Sequence, residues 1–397
     1  MLPAACRTAS TGASSREHNG TGHERQSRQL RADERKRYAR DVDANTAQRT
    51  SDSLRKAERC DAEGRHAEAL NHLAAAARNS DVEALTRLGK RLLVGDRAPH
   101  LPNDGAQLLQ DAAALGGAEA AAVLSVLYAV GASKRHGLPE ALESLVLAAE
   151  RGWAPAQAQL RVLLADAGGA DDYDGDGADL DWRRKAAEID LSTWQTPRGG
   201  TDLNTSPRVC LLSGFLGDAV CSWLIEKARG RLTRARVYEA LSKRVTVSET
   251  RTNTAATMNL LDTDLVCVLT QVRMAACAGV PFRHLEPLSV LHYDEGEQIT
   301  EHFDFVDPNV PDYEQEIALR GQRIVTFLVY LNDDYDHGET EFPELAISHK
   351  GRRGDGLFFV NALPDGRADV RTLHAGRPPS RGEKWIVSQF VRNRPLL

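Results

Sequence analysis

The sequence predicts a multidomain α and β protein, in which an array of α-helical hairpins precedes an antiparallel double-sheet barrel with flanking helices. Three observations support this fold class. From residue 54 to about 166, Ala and Leu recur at helical spacing and the chain repeats itself every 36 residues. From Glu286 to Arg392, short β-branched or aromatic runs alternate with Gly, Pro, Asn and Asp, which is typical of strands and turns. An acidic, glycine-rich stretch separates the two regions.

Composition excludes several classes of protein. The chain has 397 residues, 42% of them hydrophobic, and a net charge of −6, so no overall basic field indicates a nucleic-acid or membrane partner. We find no apolar run of about 18 residues and no apolar N-terminal segment long enough for a signal peptide. The six cysteines form no Cys-x-x-Cys pair and lie far apart, which fits a reducing compartment. We therefore expect a cytoplasmic protein.

Residues 1–53 are rich in Ser, Thr, Arg, Gln, Asn and Gly and have almost no periodic apolar positions. Such a segment cannot bury enough apolar surface to offset the entropy lost on ordering. We expect a disordered polar tail. Its basic run Arg35-Lys36-Arg37 could contact an acidic partner, but we interpret it as a solvated part of the tail.

The region 54–166 contains about three helix pairs. Glu83 to Gly95 aligns with Glu119 to Gly131 at an offset of 36, and Leu88, Leu124 and Leu160 keep the same offset. Small residues at the helix contacts and Gly at the turns indicate stacked helical hairpins. This pattern resembles the Sel-like branch of the tetratricopeptide-type repeats. The resemblance implies a scaffold that presents a surface to another protein, and it makes a polypeptide partner plausible.

Residues 167–207 form an acidic, glycine-rich linker followed by a connector of ambiguous structure. Asp172, Asp174, Asp176 and Gly177 imitate the start of a calcium-binding loop. The twelfth position of that loop should be a bidentate carboxylate, but it is Arg183, whose charge opposes a cation. We therefore interpret this stretch as a solvated linker.

The second domain is expected over residues 208–397, with its β core at about 286–394. Helical periodicity predicts helices over Asp218–Ala228 and Asp262–Ala278. Alternating or apolar runs predict a strand at the start of Arg208–Gly217 and further strands over Leu288–Tyr293, His302–Phe305, Arg323–Leu331, Leu357–Val360, Val370–His374 and Lys384–Val391. In such a barrel, inward-facing residues of several strands can line one central pocket.

One stretch of this core suggests chemistry. Strand residues alternate between faces, so His302 and Asp304 in His-x-Asp point the same way. A third imidazole from His374 would complete two His and one carboxylate, a set that holds Fe(II) and leaves positions open for a co-substrate and an oxidant. A lone His-x-Asp is common and by itself indicates little.

The wider pattern carries a family resemblance. From about Val209 to Arg394 the chain resembles the prolyl 4-hydroxylase type of 2-oxoglutarate- and Fe(II)-dependent dioxygenases. The matching pieces are Arg251-Thr252, Tyr293, His302-x-Asp304, Arg323 with Thr326, Tyr330-Leu331-Asn332, Gly338-Glu-Thr340-Glu-Phe342-Pro343, Gly356-Leu-Phe-Phe-Val-Asn361, His374-Ala-Gly376 and Gly382-Glu-Lys384-Trp385. The resemblance implies a double-stranded β-helix, or jelly roll.

Site roles follow from the same resemblance. It implies that His302, Asp304 and His374 are the iron ligands and that Lys384, ten residues after His374, binds the distal carboxylate of 2-oxoglutarate. Tyr293 and Thr340 would help to hold this co-substrate. Dioxygen is the implied oxidant, and ascorbate is an expected accessory reductant.

The expected role of Lys384 also has a physical basis, because a dicarboxylate bound inside a barrel needs a buried cation. The alternative is a surface lysine whose stem lies along apolar residues. The carboxylate of Asp304 implies hydroxylation, since related halogenating enzymes have a small residue there.

Two positions depart from the family pattern, and several other histidines are interpreted without a role in the site. His337 occupies the first Gly position of the Gly-Gly-x-Thr turn, and Ile299 replaces a frequent aromatic residue. His292 is expected on the face opposite to Tyr293. His284 and His349 are expected in loops. The segment from Val306 to Gln322 is either an ordinary loop or one that closes over substrate.

We therefore expect an enzyme that couples decarboxylation of 2-oxoglutarate to succinate with hydroxylation of a C–H bond, most plausibly of proline in a protein or peptide. Two alternatives stay open at this stage. The barrel could be a non-catalytic relic while the repeats bind a partner, or the substrate could be a free amino acid or another small metabolite.

Overall fold

The computed structural model describes residues 52–132, 137–168, 180–235, 237–239, 244–246, 250–310, 313–363 and 365–396. The chain divides into two compact units, Met1–Asn79 and Ser80–Leu397. Nearly all of the predicted polar tail, and the calcium-like segment with Asp172, Asp174 and Asp176, lie outside the described residues. The boundaries proposed above at 54–166, 167–207 and 208–397 stay proposals.

Helices dominate the first part of the chain and return between the strands. In chain order they are α1 (52–62), α2 (His66–Ala77), α3 (Val82–Val94), α4 (Pro102–Ala114), α5 (Ala118–Ala129), α6 (Leu138–Glu150), α7 (Ala154–Asp166), α8 (Trp182–Ala186), α9 (Ser192–Gln195), α10 (Asp218–Arg229), α11 (Leu265–Ala278) and α12 (Tyr313–Arg320).

The period of 36 residues is visible in the helix positions. Helices α2, α4 and α6 begin at 66, 102 and 138, and helices α3, α5 and α7 begin at 82, 118 and 154. Gly89 of α3 and Gly105 of α4 allow close packing, because a Cβ on Gly89 would lie 2.9 Å from the carbonyl oxygen of Gly105. Within the second unit, α3 packs against α4 and α5 against α6 as helical hairpins, while the assignment of residues 54–166 to the Sel-like repeats stays a prediction.

Buried polar contacts join the end of this array to helix α11. Arg273 of α11 is fully buried, and its guanidinium donates to Asp166 Oδ2 of α7 at 3.2 Å and to the Phe215 carbonyl at 3.1 Å. The Trp194 ring covers the same guanidinium, with 3.6 Å between Arg273 Cζ and the ring centroid. Gln159 of α7 accepts from the first amide of α11 at 3.1 Å. Helix α11 also contacts α5 and α6, so this part of the array supports the second half of the chain.

The strands form two main antiparallel sheets. They are β1 (Thr201–Thr205), β2 (Arg208–Leu212), β3 (Thr233–Arg234), β4 (Val237–Glu239), β5 (Arg244–Thr246), β6 (Thr254–Thr257), β7 (Ser289–Tyr293), β8 (Ile299–His302), β9 (Arg323–Tyr330), β10 (Asp336–His337), β11 (Thr340–Phe342), β12 (Ile347–His349), β13 (Gly356–Val360), β14 (His374–Gly376), β15 (Pro379–Arg381) and β16 (Lys384–Arg392).

The large sheet has the strand order β1-β2-β13-β9-β16-β7-β6-β3, and the small sheet has the order β12-β11-β14-β8. Residues of both sheets share one hydrophobic cluster, in which Leu291, Tyr330 and Phe359 of the large sheet meet Ile299 and Phe342 of the small sheet. Each such apolar side chain contributes about 1.5–3 kcal/mol through burial. The predicted order of a helical array and then an antiparallel, sheet-rich region is confirmed, and the two sheets are compatible with the predicted jelly roll.

Several predicted elements need correction. The strand predicted over His302–Phe305 ends at His302, because its partner β14 begins at His374, directly opposite His302. The strand predicted over Val370–His374 is a 3-10 turn over Val370–Thr372 followed by β14. The Asp369 carboxylate accepts from the Arg371 amide at 3.1 Å and holds this turn.

Other corrections concern helices and histidines. Helix α11 begins at Leu265 rather than at 262, because the Asp264 carboxylate caps it by accepting from the Cys267 amide at 2.9 Å. The predicted loop from Val306 to Gln322 contains α12. His349 lies in β12, where it pairs with Thr340, and His284 ends a 3-10 helix rather than lying in a loop. None of the described helices is both long enough and apolar enough to cross a membrane.

Candidate active site

A cavity of about 750 Å³ lies between the two sheets. Residues of β7, β8, β9, β11, β14 and β16 line it, together with the segment 303–307 and part of α12. Along β16 the alternation of a strand directs Lys384, Ile386, Ser388 and Phe390 into this cavity. All six residues that the sequence predicts for the site, His302, Asp304, His374, Lys384, Tyr293 and Thr340, line it.

The two histidines and the aspartate converge at one point. His302 ends β8, His374 begins β14, and the two are paired in register, so their ring centroids lie 4.2 Å apart. Asp304 Oδ1 lies 3.5 Å from His302 Nε2, and Asp304 Oδ2 lies 3.3 Å from His374 Nε2. One potential ligand atom from each residue falls within 4.8 Å of the others. The group can hold a single metal ion between these atoms.

The backbone fixes how both imidazoles are oriented. His302 Nδ1 lies 2.8 Å from the Thr300 carbonyl oxygen, and His374 Nδ1 lies 3.0 Å from the Thr372 carbonyl oxygen. A carbonyl oxygen only accepts hydrogen bonds, so in the neutral rings Nδ1 carries the proton and Nε2 keeps its lone pair. A hydrogen bond of this kind on the far nitrogen is typical of metal-binding histidines. The donor set therefore fits Fe(II).

Two buried polar residues hold the carboxylate. Thr326 of β9 donates from its hydroxyl to Asp304 Oδ2 at 2.8 Å, and the same hydroxyl accepts from Asn361 Nδ2 at 2.9 Å. Thr326 and Asn361 are both fully buried. Sequence reasoning assigned no role to either residue. Thr326 is polar inside the apolar run Arg323–Tyr330, and that contrast is a signal that could have found it.

Electrostatics keeps Asp304 ionised. Burial acts to raise its pKa, but His374 and His302 lower it when they are protonated, and the result is a pKa well below the usual range for an aspartate. The carboxylate is thus charged at neutral pH. It supplies a negative charge to any cation that binds between the three side chains.

Lys384 supplies a buried cation at another part of the cavity wall. Only 1% of the residue is exposed, and its Nζ donates to the Gly338 carbonyl at 2.7 Å. Burial lowers the pKa of Lys384 to about 8, although the more distant Glu339 acts to raise it. Within the described residues no carboxylate forms an ion pair with this lysine. A buried ammonium in this state favours an anionic ligand.

Tyr293 and Thr340 complete this part of the wall. Tyr293 is paired with Lys384 across β7 and β16, and Lys384 Nζ lies 5.0 Å from its ring centroid. Burial raises the pKa of Tyr293, so its hydroxyl stays protonated and can donate. Thr340 Oγ1 accepts from the Tyr330 hydroxyl at 2.9 Å, which leaves its own hydroxyl proton available to a ligand. His337, close to Thr340 in the sequence, adopts φ 62°, a left-handed geometry that glycine adopts most readily.

A second group of potential ligands lies around His292, which alternates away from Tyr293 as predicted. Its Nε2 lies 2.8 Å from Glu383 Oε2 and 3.8 Å from Asp294 Oδ1, and Glu297 is also close. Two cations oppose metal binding here, because Arg229 lies 3.7 Å from Glu383 Oε1 and Arg234 lies 4.0 Å from Glu297 Oε1. We interpret this group as a surface charge cluster.

Comparison with known proteins is consistent with this geometry. The sequence profile of the 2OG-Fe(II) oxygenase superfamily, where 2OG is 2-oxoglutarate, matches residues 288–392. Probable prolyl 4-hydroxylase 6 of Arabidopsis thaliana is 31% identical over 214 residues, which are 49% of this chain and 72% of that protein. Probable prolyl 4-hydroxylase 7 of the same plant is 30% identical over 213 residues, or 49% of this chain and 66% of that protein.

Two further proteins are similar to part of this chain. The prolyl 4-hydroxylase subunit alpha-1 of Gallus gallus is 30% identical over 188 residues, but these cover only 36% of that subunit and 47% of this chain. Among solved structures, the 2OG complex of the viral collagen prolyl hydroxylase vCPH from Paramecium Bursaria Chlorella virus-1 has 26% identity and a TM-score of 0.36, covering 46% of this chain and 95% of that one. The chain therefore belongs to the 2OG-Fe(II) oxygenase superfamily, whose members use Fe(II), 2-oxoglutarate and dioxygen, and within it to the prolyl 4-hydroxylase family.

Proposed function

We propose that this protein hydroxylates a C–H bond of a prolyl residue in a protein or peptide, in a reaction that consumes 2-oxoglutarate and dioxygen. One observation carries the proposal. Two oriented imidazoles, an ionised carboxylate and a buried lysine without a carboxylate partner line the same cavity. A buried charge without a partner raises the free energy of the folded protein. A bound Fe(II) would offset this cost at the carboxylate, and a bound dicarboxylate would offset it at the lysine.

The proposed iron ligands are His302, Asp304 and His374. Neutral Nε2 atoms and one carboxylate oxygen give a facial set with one negative charge. The proposed contacts of 2-oxoglutarate are Lys384 for the distal carboxylate, with Tyr293 and Thr340 as hydroxyl donors. The charges then balance, because Fe(II) and Lys384 together contribute three positive charges and 2-oxoglutarate and Asp304 contribute three negative ones.

The bound iron would supply the oxidising chemistry, in which 2-oxoglutarate loses carbon dioxide to become succinate, one oxygen atom enters succinate and the other enters the substrate C–H bond. The protein has a different task. Thr326 and Asn361 hold the carboxylate at a fixed angle, and the Thr300 and Thr372 carbonyls hold the rings. The burial of Lys384, Tyr293 and Thr340 excludes water from the co-substrate.

The exposure of the lining residues indicates where a substrate would enter the cavity. Lys384 and Thr340 are buried, whereas the His302 side chain is 33% exposed and the neighbouring Phe303 is 39% exposed. Substrate would therefore approach from the His302 side. The names of the plant, chicken and viral relatives describe prolyl hydroxylases, which supports proline as the hydroxylated residue. We also propose ascorbate as an accessory reductant, by analogy with that family.

Succinate formation tests the proposal. Purified protein with Fe(II), 2-oxoglutarate and proline-containing peptides should release succinate and carbon dioxide and leave a mass increase of about 16 Da, one oxygen atom, on a peptide. The variants H302A and D304A should lose both signals, because they remove proposed iron ligands. Full turnover by either variant would refute the proposal. Hydroxylation of free L-proline but of no peptide would instead support the small-metabolite alternative.

A further inference from the structure

Helix α12 brings an arginine to the mouth of the active-site cavity. In the sequence, the helix lies between Asp304 and β9. Its residues Tyr313, Glu316 and Arg320 line the cavity and are spaced by three and four residues, which places them on one face of the helix. No residue of α12 is buried. This face is therefore accessible to whatever enters the cavity.

Glu316, the residue one turn before Arg320, already has a partner. Its Oε1 accepts from Arg392 Nη2 at 2.6 Å, and Arg392 is fully buried. Glu286 pairs with both Arg323 and Arg392. It accepts two hydrogen bonds from Arg323, of 2.8 and 2.9 Å, and one from Arg392, of 2.5 Å. Two glutamates thus pair with Arg323 and Arg392, and Arg320 shares Glu316 with Arg392.

Within the part of the chain that the structure describes, Arg320 has no carboxylate that it does not share. Among the described residues its one ion pair is a 3.8 Å approach of Nη1 to the same Glu316 oxygen that Arg392 occupies. The Arg320 side chain is 42% exposed, so it can reorient towards a ligand. A guanidinium with donors to spare at a cavity mouth is suited to a planar carboxylate.

The other carboxylates of the mouth have partners other than Arg320. Glu301 lines the cavity, and its Oε1 lies 3.6 Å from Nη2 of Arg377, which does not line it. The Asp307 carboxylate accepts two hydrogen bonds from Asn309, because the backbone amide and the side-chain amide of Asn309 both donate to Oδ1 at 2.9 Å. Arg251 donates from Nε to Asn253 Oδ1 at 3.1 Å, a neutral partner. Arg251, Arg320 and Arg323 line the cavity together with Glu301, Asp307 and Glu316, and among the described residues only Glu316 lies within ion-pair distance of Arg320.

We propose that Arg320 selects substrates that carry a carboxylate next to the hydroxylated residue. This inference rests on the proposed function and names a feature of its substrate. The carboxylate has two sources, an acidic side chain that flanks the prolyl residue in a peptide or the α-carboxylate of a free amino acid. Both present the same planar anion to the guanidinium.

A charge exchange tests the proposal. The probes are three short peptides that differ only in the residue beside proline, which is Asp, Asn or Lys, together with L-proline and prolinamide. Wild-type protein should favour the Asp peptide over the Asn peptide by about tenfold in kcat/KM, with the difference mainly in KM, and added salt should reduce the preference. The variant R320E should invert the order and favour the Lys peptide.

The control variant is R367E, which makes the same change of charge at a 78% exposed arginine that does not line the cavity. It should keep the wild-type order, so an effect of net charge alone is separated from an effect of position. Preference for L-proline over prolinamide, lost in R320E, would identify the α-carboxylate as the source.

Two results would overturn the role of Arg320. One is equal use of the Asp, Asn and Lys peptides by wild-type protein together with equal use of L-proline and prolinamide, and the other is an unchanged order of all probes in R320E. Peptide affinities measured by calorimetry with Mn(II) in place of Fe(II) give the same ranking without turnover. Failure of the proposed function would look different, because succinate release would then be absent or independent of Fe(II) whatever the peptide.

Discussion

The chain contains His-x-Asp twice, ten residues apart, and the two copies have different environments. His302-Phe303-Asp304 meets His374 across the β8–β14 pair, and Asp304 is 93% buried. His292-Tyr293-Asp294 lies at the end of β7, where the Asp294 side chain is 73% exposed and His292 Nε2 is already bonded to Glu383. The motif alone therefore does not distinguish a metal site from a surface cluster.

Two physical features separate the copies. At the first, backbone carbonyls fix both imidazoles and Thr326 fixes the carboxylate, so three lone pairs point to one place. At the second, the His292 Nδ1 contacts the Thr254 hydroxyl at 3.2 Å, and Arg229 and Arg234 supply positive charge that a metal would otherwise supply. A cation is favoured where the protein lacks positive charge and has oriented donors.

We expect the largest difference in iron affinity between substitutions of the two aspartates, Asp304 and Asp294. D304N should weaken iron binding by at least about 100-fold, because losing a ligand costs more than the 10–100-fold typical of an outer partner, and turnover should disappear. D294N should bind iron within about twofold of wild type, since that carboxylate has no oriented partners. Anaerobic titration of metal-free protein measures both. Equal losses in the two variants would contradict the distinction.

Loss of the buried cation should affect the co-substrate instead of the metal. K384M leaves the distal carboxylate of 2-oxoglutarate without its proposed partner, and we expect the Kd for 2-oxoglutarate to rise about 100-fold or more. Iron affinity should stay close to that of wild type. The matched variant K384R keeps the charge and should retain part of the affinity. Calorimetry with Mn(II) present measures all three proteins, and unchanged binding by K384M would exclude the assigned role.

Removing the support of Asp304 should have an intermediate effect. T326V deletes the hydroxyl that donates to Asp304 and accepts from Asn361, while the shape of the side chain is kept. We expect iron affinity to fall about 10-fold to 100-fold. T257V, which removes a hydroxyl from the exposed end of β6, is the control. Wild-type affinity in T326V would mean that Asp304 needs no such support.

The smallest effect is a pH dependence. Burial lowers the pKa of Lys384 to about 8, so the free protein loses this positive charge as the pH rises through that value. Only the protonated amine attracts the dicarboxylate, and the affinity for 2-oxoglutarate should be level below pH 8 and fall by up to about tenfold per pH unit above it. K384R should give a flat profile over the same range. A wild-type profile without this decline would contradict the burial argument.

Local patterns predicted most of the architecture. The 36-residue period gives the helical hairpins, and the alternation in β7, β9 and β16 predicts the central strands within one or two residues. Helix α12 was missed because none of its residues is buried, so it carries no apolar periodicity. Short elements such as α8 and α9 are held by the burial of Trp182 and Trp194, which is a tertiary effect.

The candidate site was predictable only in part. The residue types at 302, 304, 374 and 384 indicated it through a known family pattern, while the difference between the two His-x-Asp copies depends on partners far along the chain. His374 is 72 residues after His302, and Asn361 reaches Asp304 only through Thr326 of another strand. The weak pairing of Arg320 likewise depends on Arg392, whose position no local pattern indicates.

The most direct test is an anaerobic crystal structure with Mn(II) and 2-oxoglutarate. We predict one metal ion bound by His302 Nε2, His374 Nε2 and an Asp304 oxygen, with the distal carboxylate of 2-oxoglutarate on Lys384 Nζ. The cluster around His292 and Asp294 should contain no metal. A metal ion at His292, or 2-oxoglutarate bound away from Lys384, would contradict the central claim.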